Sequence, residues 1–216
     1  MGDESYLSRR ARLMPASPIR KLAPYADAAK ARGVHVYHLN IGQPDIETPR
    51  EMIQAYRELD LSVVAYGPSG GLPRYVESLT GYYARVGIHL DPSEVLVTTG
   101  GSEALMFAIN AIADPGDEII VPEPFYTNYM GFCTMSGVKI VPVTARAEDG
   151  FALPPVEMFR SRITDRTRAI LFCNPGNPTG AVYTRAELMS LRDLALERDL
   201  FLVADEVYRE FIYDGA

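Results

Sequence analysis

The apolar positions of this chain fall into two regimes, and the second is much more regular than the first. From Glu94 onward, apolar runs alternate with stretches of helical spacing. VLVT, EIIVP, VKIVPV, RAILFC and LFLVAD have few polar interruptions and predict strands covered on both faces. GGSEALMFAINAIA, FYTNYMGFCTMSG, a short piece near 155–162 and TRAELMSLRDLALERD predict the covering helices. Strict alternation of the two predicts an α/β fold, a mainly parallel central sheet with helices on both faces. Ligands in such sheets bind beyond the carboxyl ends of the strands.

Before Glu94 the pattern is looser. Residues 1–16 show no clean period and read as an arm. Ser17-Pro18 predicts the start of a helix running to about Arg32 and stopped by Gly33, since Ser caps well and Pro suits a first turn. VYHLNIGQPDIETP begins like a strand and breaks into a Gly/Pro loop; PREMIQAYRELD returns to helical spacing; a second loop, AYGPSGGLPR, precedes another helix.

Composition narrows the possibilities. At 216 residues and 47% hydrophobic, the chain can bury a sizeable core. Its 21 basic and 28 acidic residues give a net charge of −7, spread along the sequence, which argues against a nucleic-acid partner. No stretch approaches the roughly 18 apolar residues of a membrane span, and MGDESYLSRR lacks a signal peptide's apolar segment. A cytoplasmic protein without a membrane partner is expected. Cys133 and Cys173 lie in apolar surroundings without ligand spacing and read as buried thiols; with His35, His38 and His89 besides, no metal site is expected. Only three of the basic residues are lysines, Lys21, Lys30 and Lys139.

Four motifs fall at predicted strand ends. TTGGSEAL, Thr98 to Leu105, offers glycines and a helix start suited to a phosphate, although taken alone an ordinary strand-to-helix turn is the better explanation and it matches neither GxxxxGK[ST] nor GxGxxG. In PEPFYTNY, Tyr126 has a ring that can lie against a flat ligand or simply pack. NPGNPTG, Asn174 to Gly180, is a dense turn cluster that places the Asn177 amide at a strand end. In VADEVY, Asp205 terminates an apolar strand and Tyr208 follows three residues later; a carboxylate there must be solvated, used as a cap or paired with a cation.

In order and spacing these motifs resemble the class I and II aminotransferases, the aspartate aminotransferase-like group of fold type I pyridoxal-phosphate-dependent enzymes. The resemblance runs from about Ala16 to the last residue, with NPGNPTG and DEVY its most specific parts. It implies pyridoxal 5'-phosphate as cofactor, its phosphate at Gly101, Ser102 and Glu103 and its ring stacked on Tyr126. Asn177 and Tyr208 would hydrogen-bond the phenolic oxygen, and Asp205 would pair with the ring nitrogen, keeping it protonated so that the ring withdraws electrons from the substrate's alpha carbon. Upstream, LNIGQPDIETP resembles the substrate-side loop, with Gly42 near the substrate carboxylate. YGPSGGLP resembles the segment whose tyrosine, here Tyr66, reaches the phosphate in a neighbouring subunit, implying a homodimer.

The family divides such a chain into an N-terminal arm at 1–16, a contribution to the small domain at 17–45 and the large cofactor-binding domain at 46–216, incomplete at its C-terminus. Its Schiff-base lysine lies some tens of residues beyond the matched tyrosine, and no lysine follows Lys139 here, so no catalytic residue is assigned. The downstream arginines for phosphate and substrate carboxylate are missing as well. FIYDGA resembles the middle of a family segment, so an N-terminal fragment of a longer protein is expected, inactive alone. The parent is expected to transfer an amino group between an amino acid and a 2-oxo acid, aspartate and 2-oxoglutarate first. Lyases and synthases of the same fold share the ring-binding residues, and a non-catalytic protein of this fold is the remaining alternative.

Overall fold

The computed structural model describes residues 6–17, 20–40, 42 and 46–213. Pro18, most of the GQPD loop around Gly42 and the last three residues of FIYDGA lie outside them. The chain forms two compact units, one of residues 1–18 with 99–216 and one of residues 19–98.

The first unit is built on strands β1 (Glu118–Glu123), β2 (Lys139–Thr144), β3 (Thr167–Cys173) and β4 (Phe201–Asp205). All pair in parallel, in the order β2-β1-β3-β4. The chain passes from β1 outward to β2, returns past β1 to β3 and continues outward to β4. The direction of winding therefore reverses between β1 and β3, which makes their carboxyl ends the switch point where α/β sheets form a crevice.

Helices α1 (Arg9–Leu13), α5 (Gly100–Ile112), α6 (Asn128–Ser136), α7 (Val156–Arg160) and α8 (Arg185–Glu197) complete this unit. The two-residue period of the strands decides which helix covers which face. Ile119 and Val121 of β1 and Ala169 and Leu171 of β3 pack with Leu105, Ile109, Tyr129, Phe132 and Cys133 of α5 and α6. The intervening Ile120, Ile170 and Phe172 point the other way, to Phe159 of α7 and Leu191 and Leu194 of α8. Ile120 and Ile170, paired across the β1–β3 ladder, are fully buried. Helix α8 starts on a capping box, Thr184 with Glu187, and Glu187 also accepts from the Leu153 N–H at 3.0 Å.

Two acidic residues lie at the amino ends of the strands. Asp117 accepts from Arg168 Nε at 2.8 Å, and Glu118 accepts from Lys139 Nζ at 2.9 Å and Thr164 Oγ1 at 2.7 Å. Hydrogen bonding to Arg168 holds the Asp117 carboxyl below the usual carboxylate range, and hydrogen bonding to Lys139, then Thr164, does the same for Glu118.

The second unit holds α2 (Ala23–Ala31), α3 (Arg50–Arg57) and α4 (Pro73–Arg85). Gly71 closes the turn before α4 at φ +110°, where a Cβ would lie 2.3 Å from Val97 Cγ2. Only glycine allows that approach.

Two expectations are corrected. VLVT is extended but not a strand: among the described residues Val97 N–H bonds the Gly70 carbonyl at 3.2 Å and no ladder forms, and an apolar run becomes a strand only when a neighbour supplies one. VYH is likewise no strand. An α-helix runs over Ala23–Ala31, with Leu22 as its cap residue and Pro24 in its first turn, after a 3-10 turn at Arg20–Leu22; the expected start at Pro18 lies outside the described residues. The arm, which has no clean period, contains α1, capped by Ser8 and tied to α6 by Arg10, which donates to the Met135 carbonyl at 2.9 Å.

Two stability predictions follow from this packing. Ile170→Ala is expected to cost about 2–5 kcal/mol, the usual loss for a fully buried aliphatic side chain, read as a lower midpoint in urea. The Glu118 contacts, which lower its folded pKa, contribute stability that is present above the ordinary glutamate value of about 4.3 and lost as pH falls through the folded value. Glu118→Gln should therefore lower the urea midpoint at pH 7 and flatten its decline between pH 5 and pH 3; an unchanged acid slope would contradict the assignment.

Candidate functional site

Polar side chains follow the carboxyl ends of β1, β3 and β4. Asp205 is the last residue of β4, directly opposite Cys173 at the end of β3. Its two carboxylate oxygens are held separately: Oδ2 accepts from the Tyr129 hydroxyl at 2.6 Å, and Oδ1 accepts from the Val207 N–H at 3.1 Å. The Asp205 carbonyl accepts from Asn174 N–H at 3.0 Å, which carries the β3–β4 ladder one residue into the next loop. The carboxylate is thus held by two donors, and the backbone of the same residue by a third.

The loop after β3 is shaped by its own polar groups. Asn174 Oδ1 accepts from Tyr183 N–H at 2.8 Å, Gly176 N–H bonds the Ala181 carbonyl at 2.8 Å, and the Cys173 thiol donates to the Pro175 carbonyl at 3.1 Å. So held, Asn177 presents its amide to the Tyr208 hydroxyl at 3.5 Å. That is the long end of a hydrogen bond, so both groups keep capacity for an acceptor placed between them. Tyr208 is half-buried and steadied by an edge contact with Phe211, centroids 6.0 Å apart.

Beyond β1, Tyr126 lies two residues before α6, its hydroxyl accepting from the Asn128 amide at 2.6 Å. Its ring meets that of Tyr129 edge-on, at 5.5 Å and 89°. Burial, and after it the hydrogen bond to Asp205, pushes the Tyr129 hydroxyl far above the usual tyrosine range, so it stays protonated and can donate. Burial also pushes the Cys173 thiol up to about 11, with the Asp205 charge adding to it, and the Cys133 thiol up to about 12. Both cysteines are free and buried, as expected, and neither offers a thiolate nucleophile near neutral pH.

At the start of α5, Gly100 sits at φ +75° and the Thr99 side chain makes no capping bond. The Glu103 carboxylate instead turns back to accept from Thr99 N–H at 2.6 Å. That side chain is therefore occupied, and Glu103, like Gly101 and Ser102, can serve an anion through its backbone N–H. Around Gly101 a Cβ would meet nothing within 4 Å, so the helix start is open.

Tyr66 and Gly42 belong to the second unit, where Tyr66 is fully exposed and Gly42 is exposed in its loop. Lys139 is engaged by Glu118, and Lys21 and Lys30 lie in the turn before α2 and in α2 itself. No group of three or more metal-ligating side chains occurs among the described residues, and none of their helices is long and apolar enough to cross a membrane. Sequence reasoning missed Tyr129. Its signal was the spacing FYTNY, which puts Tyr126 and Tyr129 three apart at a helix start and hence side by side.

The model of the family "Aminotransferase class I and II" matches residues 34–216. The aspartate/prephenate aminotransferase of Thermus thermophilus is 38% identical over 211 residues, covering 97% of this chain and 54% of that protein. The solved structure of the Thermus thermophilus aspartate aminotransferase with maleate superposes with a TM-score of 0.89 at 38% identity, over 97% of this chain and 55% of that one. An alanine aminotransferase from Pyrococcus furiosus superposes with a TM-score of 0.88 at 36% identity, over 94% of this chain and 52% of that one. The chain spans about half the length of the relatives it matches. Its parallel α/β unit, its motif order and these likenesses agree: the chain belongs to the class I and II aminotransferase family.

Proposed function

We propose that this chain is the larger part of a pyridoxal-phosphate site, and that the whole protein transfers an amino group between an amino acid and a 2-oxo acid. The observation that carries the reading is Asp205, a carboxylate held through both oxygens at the carboxyl end of β4. The donor set around it fits the cofactor. A carboxylate suits a protonated ring nitrogen, the face of Tyr126 suits the ring, the converging Asn177 and Tyr208 suit a phenolic oxygen, and the open start of α5 suits the phosphate.

When bound, the cofactor supplies an electron-poor ring that stabilises negative charge at the substrate's alpha carbon. Asp205 holds the proton at the ring nitrogen, and Asn177 and Tyr208 hold the phenolic oxygen. Tyr126 fixes the ring plane, and the N–H groups of Gly101, Ser102 and Glu103 anchor the phosphate. Gly42 is kept as the proposed substrate-carboxylate residue. The chain's lysines lack the matched position for proton transfer, so the 216 residues alone bind without turning over.

Aspartate with 2-oxoglutarate is the proposed pair, its aspartate half supported by the names of the relatives. A homodimer is proposed on Tyr66, which stands wholly exposed beside the exposed Val63 and Val64, an apolar stretch of the kind that marks an interface. The arm at 1–16, the small-domain contribution at 17–45 and the large domain at 46–216 are retained as the proposed division. Buried, unpaired cysteines support a reducing, cytoplasmic setting.

Asp205→Ala is expected to weaken binding of pyridoxal phosphate to the purified chain at least about tenfold, read by fluorescence titration, because the ring nitrogen loses its charged partner. In a donor panel, the complete protein should require a 2-oxo acid for turnover; turnover without one would indicate a lyase or synthase. The 216-residue chain should show no turnover in the same assay.

A further inference from the structure

Tyr129 is wholly buried within the cluster of Leu105, Ile119, Val121, Phe132 and Leu171. A phenylalanine would serve that packing, and the hydroxyl costs free energy to bury unless it is bonded. Its bond goes to Asp205 Oδ2 at 2.6 Å, the short distance of a donor to a charged oxygen. The same ring meets that of Tyr126 in an edge-to-face contact. One sealed residue of α6 therefore connects the aromatic after β1 to the carboxylate at the end of β4. With Val207 N–H on Oδ1, the hydroxyl stops the carboxylate from turning about its Cβ–Cγ bond.

We infer that Tyr129 is a positioning residue, which sets the rotation of Asp205 toward the cofactor's ring nitrogen without touching the cofactor itself. The inference rests on the cofactor reading given above. Phenylalanine at 129 keeps the ring under Tyr126 and removes the bond to Asp205, so the nitrogen faces a carboxylate that is no longer held.

The probe is pyridoxamine 5'-phosphate labelled with 15N in its ring, whose amine form needs no lysine, bound to the full 216-residue chain. Wild type should bind it with the ring nitrogen protonated. Tyr129→Phe should bind about tenfold more weakly, about 1.4 kcal/mol, with the 15N resonance moved toward neutral pyridine. Absence of binding by wild type overturns the cofactor reading and this inference together. Equal affinity and equal resonance in wild type and Y129F overturn the inference while the cofactor reading stands. Weaker binding with an unmoved 15N resonance assigns Tyr129 a structural role alone and also overturns it. If circular dichroism shows that Y129F has lost its fold, the wild-type chain supplies the test: the Tyr129 hydroxyl proton should shift in NMR on saturation with the probe, and an unmoved proton overturns the inference.

Discussion

Burial of β1 and β3 on both faces is the constraint from which the rest of the first unit follows. Ile119, Ile120, Val121, Ile170 and Leu171 have almost no contact with water, and their alternating directions demand apolar cover on each side. Helices α5 and α6 supply one layer and α7 and α8 the other. With both faces dry, polar side chains can be placed only at the strand ends, where loops reach solvent. The acidic residues Asp117 and Glu118 take the amino ends and meet Arg168 and Lys139. Asp205, Asn177 and the tyrosines take the carboxyl ends.

The two ends solve the same problem differently. At the amino ends each carboxylate meets a cation within the chain, and the result is a stabilising rim. At the carboxyl ends Asp205 meets neutral donors, the Tyr129 hydroxyl and the Val207 N–H. Neutral donors fix the carboxylate's direction without cancelling its charge, and that charge suits a cationic partner from outside the chain. Cys173 and Tyr129, both held protonated by burial, add no competing charge.

Much of this was legible in order and spacing. The strands at EIIVP, VKIVPV, RAILFC and LFLVAD and the helices between them read directly from apolar period, because each carries its own record of being covered. VLVT did not become a strand, since strand formation depends on a neighbour and not on the run itself. The arm's short α1 was invisible because five residues carry too little period to detect, and its tie to Met135 is a tertiary contact.

By itself the sequence determined the α/β class, the family, the positions of Tyr126, Asn177, Asp205 and Tyr208 after strands and of Gly101 at a helix start, and the absence of any lysine after Lys139 in these 216 residues. All of these are properties of local period, local motif or count. Tertiary structure alone decided that the Glu103 side chain closes its own turn, that Lys139 is engaged by Glu118, and that Tyr129, 76 residues before Asp205, holds its carboxylate. Those are partnerships across the sheet, and a linear pattern carries no signal for which side chain a fold brings within 3 Å of another.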